Sequence, residues 1–156
     1  MDFLPLITSL VTIILAICGW KVVYRNAKKL ARRNENFQLI NRINQLIEGT
    51  THECISYWTN APQDDQTRRL ESISFEKKVA NIKSEINNLE RRSFTITGVS
   101  SALFKYRNAI TLDISYVTKK DIDYKSKKIE HISDSSVALK SLLSEAFINR
   151  FISNRA

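Results

Sequence analysis

The sequence predicts an all-α protein, in which a single N-terminal transmembrane helix continues into a cytoplasmic helical bundle or coiled-coil-like body. Three observations carry that expectation. Residues 3–20, FLPLITSLVTIILAICGW, contain no charged side chain. Residues 21–33 hold six cations and no acid. Further along, apolar residues return at steps of three and four, the period of one helix face. The chain is 156 residues long, with only three Gly and two Pro. That length suits one domain with a modest core and excludes a multi-span transporter or a two-domain enzyme. Two cysteines do not make a disulfide framework.

At 1.5 Å per residue the uncharged run reaches about 27 Å, close to the hydrocarbon thickness of a bilayer. Val22, Val23 and Tyr24 extend it if the Lys21 stem snorkels. Pro5 falls in the first turn, where a missing N–H costs least. Trp20 and Tyr24 stand at the level of an interfacial aromatic belt. Three other readings compete with the span. A cleaved signal peptide needs a cationic start and small residues before the cut, but the chain opens Met-Asp and runs into Trp and Lys. A lipoprotein signal at Cys18 would be preceded by the bulky Ile17. A buried core helix seldom runs so long without charge.

The belt consists of Lys21, Arg25, Lys28, Lys29, Arg32 and Arg33. The whole chain carries a net charge of +8, and most of that excess is this belt. Cations on the C-terminal flank of a span orient that flank towards the cytoplasm, and an anionic leaflet attracts them. The six are therefore expected to contact lipid headgroups, and an inner-membrane location follows. Specific nucleic-acid binding would need further basic surface and stacking aromatics in a body that is nearly charge-balanced. The expected organisation is an anchor at 1–24, a basic juxtamembrane segment at 25–36 and a helical domain at 37–156.

Within that domain, Ile40, Ile43, Ile47, Thr50, Cys54 and Tyr57 mark one helix face continuing from the span, with Gly49, Thr50 and Thr51 as a point where it can bend. Pro62 ends it, because the residue before proline leaves the helical region. Asp64 or Asp65 is the next N-cap. Phe75, Val79, Ile82, Ile86 and Leu89 follow at steps of four, three, four and three. They are the expected interaction face of their helix. With only about two heptads, the internal face of a bundle is favoured over a coiled coil with another chain.

Residues 93–117 fit two templates. Val99, Leu103, Tyr106, Ile110 and Val117 form a helical face that Asp113 interrupts, whereas Ile110, Leu112, Ile114 and Tyr116 alternate as in a strand. Helix is preferred, since a lone hairpin among helices has few partners. Residues 118–136, TKKDIDYKSKKIEHISDSS, read as a mobile or peripheral connector. A last helix then carries Leu139, Leu142, Leu143, Ala146, Phe147 and Phe151, capped by Ser133 or Asp134.

The means for chemistry are sparse. His52 and His131 are the only histidines and Cys18 and Cys54 the only cysteines, too few in the body for a four-ligand zinc site. A Cys54 nucleophile with His131 and Asp113 can be drawn, but a small core residue, an exposed imidazole and a surface acid account for the same three. Gly19, Gly49 and Gly98 are scattered and make no phosphate loop. Asp64-Asp65 and Asp121-x-Asp123 read as helix caps and solvated loops, and Trp58 as a core anchor, with an interface hot spot as the alternative. No cofactor and no small-molecule substrate is expected. The functional expectation is a non-enzymatic, membrane-anchored interaction protein that self-associates or docks a protein partner, in a bacterial or prophage accessory role such as phage exclusion or defence. Two alternatives are a pore-forming, membrane-damaging effector and a phage inner-membrane lysis subunit. For the first, Thr8, Ser9 and Thr12 supply small or hydroxyl residues without a strong small-xxx-small pattern. The charge bias opposes the second.

Overall fold

The computed structural model describes residues 4–62, 64–92 and 94–151, with side chains from residue 8 onward. Phe3, the first residue of the uncharged run, lies outside them. The elements in order are α1 (Leu4–Thr59), α2 (Asp65–Arg91), α3 (Val99–Thr111), a 3-10 turn (Ile114–Lys119) and α4 (Ile122–Phe151). No strand occurs among the described residues, and the protein is all-α. The chain divides into two compact units, Met1–Phe37 and Gln38–Ala156.

The second unit is an up-down-up-down bundle, and side-chain pairs define its directions. Glu53 pairs with Lys78, and Arg42 with Glu85 at 3.2 Å, so α2 runs antiparallel to the second half of α1. Tyr106 Oη donates to Ile47 O at 3.1 Å and Tyr57 Oη to Ile114 O at 3.2 Å, so α3 runs the same way as α1. Lys140 meets Glu48 at 2.8 Å while Trp58 packs against Tyr124, which makes α4 antiparallel again.

Ile40, Ile43, Ile47, Thr50, Cys54 and Tyr57 are all buried, as their spacing predicts. The helix does not break at the Gly49-Thr50-Thr51 step. Thr50 is buried and the Thr51 hydroxyl hydrogen-bonds Tyr106 Oη at 3.1 Å, so tertiary contacts outweigh weak local propensity. A Cβ added at Gly49 would meet nothing within 4 Å. Gly49→Ala is therefore expected to stabilise the body by about 0.5–1 kcal/mol, read as a shift in urea midpoint.

Asp64 caps α2, accepting from Thr67 N at 2.7 Å and Thr67 Oγ1 at 2.8 Å. Those two bonds hold its carboxyl below the usual 3.8. Gly98, at φ 83°, opens α3 in a conformation that glycine adopts without steric cost.

The ambiguity at 93–117 resolves as helix followed by a tight turn. Ile110 and Ile114 are buried while Leu112 and Tyr116 are more than half exposed, an i, i+4 burial pattern and not a strand's alternation. Asp113 takes a left-handed conformation, φ 62°, which its short polar side chain tolerates, and its Oδ2 accepts from Tyr124 Oη at 2.5 Å. The residue that interrupts the helical pattern is where the helix stops.

Residues 118–136 require a correction. They are not a connector: α4 starts at Ile122, capped by Asp121, whose Oδ1 accepts from Tyr124 N at 2.7 Å, and neither Ser133 nor Asp134 is the cap. The inward face runs Lys128, Ile132, Ser135, Ser136, Leu139, Leu143, all buried. Lys128 buries its methylene stem, and the Ser135 hydroxyl donates to Ile132 O at 3.0 Å within its own helix, so polar residues occupy core positions.

Candidate functional site

The first half of α1 has the physical character of a membrane span. It holds an 18-residue window of mean hydropathy 1.4, none of it buried, and among the described residues this is the one helix long and apolar enough to cross a membrane. Leu10, Ile13, Leu15, Ile17 and Trp20 are each more than half exposed. Side chains of this size in contact with water each forgo roughly 1.5–3 kcal/mol of burial, so the segment calls for an apolar surround.

The basic belt follows on the same helix. Lys21, Arg25, Lys28, Lys29 and Arg32 are exposed, and Arg33 is half-buried. Trp20 and Tyr24, the expected interfacial rings, are also exposed. At about 100° per residue, Lys21, Arg25, Lys28 and Arg32 lie within an arc of about 60°, with Lys29 about 40° and Arg33 about 80° beyond it. Four of the six cations thus form a band along one side of the helix, a one-sidedness that a count of charges does not reveal.

The other expected site residues end up elsewhere. Phe75, Val79, Ile82, Ile86 and Leu89 are 0–4 % exposed and belong to the body's own core. They belong to one buried cluster shared with residues of α1, α3 and α4 of the same chain. Periodicity reports that a face is covered without reporting by what.

Cys54, His131 and Asp113 do not form a catalytic set. Cys54 is fully buried, its thiol donates to Ile110 O at 3.7 Å, and burial pushes its pKa up to about 12. His131 is exposed and the Asp113 carboxylate is engaged by Tyr124. A nucleophilic cysteine needs the opposite environment, one that favours thiolate. No group of three His, Cys, Asp or Glu side chains is placed to hold a metal ion among the described residues. Trp58 is a core residue, fully enclosed.

Two features escaped the sequence reading. One is a groove of about 680 Å³ between α2 and α3, lined by Ile73, Ala80, Lys83, Leu103, Phe104 and Arg107 among others, with Phe104 62 % exposed. A single exposed Phe on a helix leaves no signal in a periodicity analysis. The other is the buried Lys128, whose Nζ lies 3.5 Å from Asn108 O and 5.7 Å from the Trp58 ring centre. Burial lowers its pKa, partly offset by the Asp113 charge.

These groups set the alkaline behaviour of the body. Burial raises Tyr106 to about 12, burial also raises Tyr57, and the Asp113 hydrogen bond raises Tyr124. With Cys54, they keep protons in the folded state that the unfolded chain releases around 9.0 and 10.0. The folded state then binds more protons, and stability falls as pH climbs from about 9 towards 12. Lys128 acts in the opposite sense, since its lowered pKa makes neutralisation easier in the fold. Lys128→Met is expected to raise the urea midpoint at pH 7 and to steepen its decline above pH 9. An unchanged midpoint with an unchanged slope would show the ammonium to be solvated.

No family model, curated protein or solved structure matches this chain.

Proposed function

We propose that the protein is a single-pass inner-membrane protein whose helical body is held in the cytoplasm, where it works by self-association or by docking a protein partner and not by catalysis. The observation that supports this most is the junction at residues 20–21, where an exposed apolar helix segment gives way to six cations without an intervening acid. Lipid is the surround that satisfies the first half, and anionic headgroups satisfy the second. The body adds a rigid module with its own core, and its few candidate nucleophiles are buried or already engaged. A bacterial or prophage accessory role, such as phage exclusion, is the biological setting we infer for such a protein.

Two measurements test it on the full chain. After washing vesicles at alkaline pH with carbonate, the protein is expected to stay in the pellet, and release into the supernatant refutes the span. A reporter active only in the cytoplasm, fused at Ala156, is expected to be active. Activity only for a periplasmic reporter overturns the orientation and favours a lysis subunit instead.

A further inference from the structure

The groove between α2 and α3 is apolar along its floor and cationic at its middle. Val79, Ile86, Val99 and Leu103 form the floor, and all four are buried. Phe104 lines it from α3 with 62 % of its surface exposed, a large ring that the chain itself leaves uncovered. Lys83 on α2 and Arg107 on α3 line the two opposite walls. Lys83 lies eight residues before Arg91, the end of α2, and Arg107 lies eight residues after Val99, the start of α3. At 1.5 Å per residue both stand about 12 Å from the turn that joins these antiparallel helices, and so at one height.

The two cations are unanswered by the rest of the chain. Neither side chain has an ion pair or hydrogen bond among the described residues. Their own helices offer no acid at the three- and four-residue steps: Lys83 meets Val79, Ala80, Ile86 and Asn87 there, and Arg107 meets Leu103, Phe104, Ile110 and Thr111. The acids that line the groove, Glu76 and Glu90, are each seven residues from Lys83, about 10 Å along α2 in either direction. Lys77, the third cation of the lining, shares the far end with Glu76. Like charges facing each other over an apolar floor repel, and one anion held between them relieves both.

We propose that the groove binds a free fatty acid of medium chain length, with its carboxylate between Lys83 and Arg107 and its hydrocarbon chain along the apolar floor beside Phe104. From the cation pair to either end of the groove is about 10–15 Å, which sets the chain length. Shape excludes larger occupants. Between Ile73 and Glu90 the groove runs for about 25 Å, and a helix about 10 Å across laid over that length takes up roughly 2,000 Å³. That is about three times the 680 Å³ of the groove, so only the projecting side chains of a helix can enter. An extended peptide would set its N–H and C=O groups against a floor that offers them no partner. A hydrocarbon chain carries no such groups, and the volume is that of a small-ligand site. A second copy of this groove would bring more cations to the cations already there. The inference uses the helical body alone and does not depend on where the chain is inserted.

The test is photolabelling of the full-length chain in phosphatidylcholine vesicles by a lauric acid with a terminal diazirine, followed by peptide mapping. Labelling within residues 73–107 is expected, and excess unlabelled laurate is expected to compete it away. Labelling within residues 8–20 by probe dissolved in the bilayer does not saturate and serves as the reference. Lys83→Gln combined with Arg107→Gln is expected to raise the competing laurate concentration about tenfold, and Phe104→Ala about fivefold. Lys125→Gln, on α4, leaves it unchanged. All four positions are exposed, and an unchanged urea midpoint confirms that each variant folds. Labelling of 73–107 that laurate does not compete overturns the inference. So does equal competition by lauryl alcohol, which lacks the charge, or an unaltered response in the double variant. Labelling of the groove by a diazirine phosphatidylcholine, undisplaced by laurate, would assign it to bilayer lipid and overturn it equally.

Discussion

Trp58→Ala is expected to lower the stability of the body by about 3–5 kcal/mol, the range for removing a large buried aromatic from a packed core. Trp58 is the largest fully enclosed side chain among the described residues and packs from α1 against α4. Its ring centre lies 6.2 Å from that of Tyr124 and beneath the Lys128 ammonium, so truncation opens a cavity and leaves a buried cation without its aromatic face. A domain of this size has about 5–15 kcal/mol in total. The variant should therefore sit near its unfolding threshold at 37 °C. Pulse proteolysis of vesicles across a urea series measures this without removing the anchor. Trp58→Phe, which keeps an apolar ring in place, is expected to lose a smaller part. Equal losses for both variants would mean that the indole's extra volume and its cation contact carry the whole effect.

Replacing Lys21, Arg25, Lys28 and Lys29 together by Gln is expected to abolish the single orientation of the chain. Each cation close to an anionic leaflet contributes about 1 kcal/mol, and that field decays over about 8 Å at physiological salt. At 1.5 Å per residue, Lys28 already lies about 10 Å beyond Lys21. Arg32 and Arg33 fall further out, so the pair Arg32→Gln and Arg33→Gln should matter much less. With the four-residue change, a cytoplasm-dependent reporter at Ala156 should lose most of its activity, and a periplasm-dependent one should gain it. Full retention of orientation would show that the belt has another task.

The contrast between α2 and α4 shows what the sequence makes legible. From Phe75 onward every buried member of the α2 face is apolar, so period and burial coincide at Phe75, Val79, Ile82, Ile86 and Leu89, whereas the buried Arg68 before them goes unmarked by hydrophobicity. The α4 face has the same period, but Lys128, Ser135 and Ser136 occupy three of its core positions, and a hydrophobicity pattern passes over them. Lysine is counted as surface although its stem is buried, and serine is counted as loop although its smallness is what close helix packing requires. Asp113 misleads differently, since a left-handed residue shifts the register of the pattern and makes a helix end resemble alternation. For the candidate site, the apolar run and the belt are readable because lipid imposes length and charge rules that need no tertiary context. The α2–α3 groove is not, because it depends on how two helices splay apart.

The even number of passes in the bundle has a practical meaning. Gln38 enters the body at one pole, and α4, running antiparallel to α1, brings Phe151 back to that same pole, where its ring stacks 6.1 Å from Phe94. Residues 38 and 151 therefore lie at one pole of the bundle. A graft of 38–151 into a surface loop of an unrelated host would bring both cut ends to the acceptor on the same side.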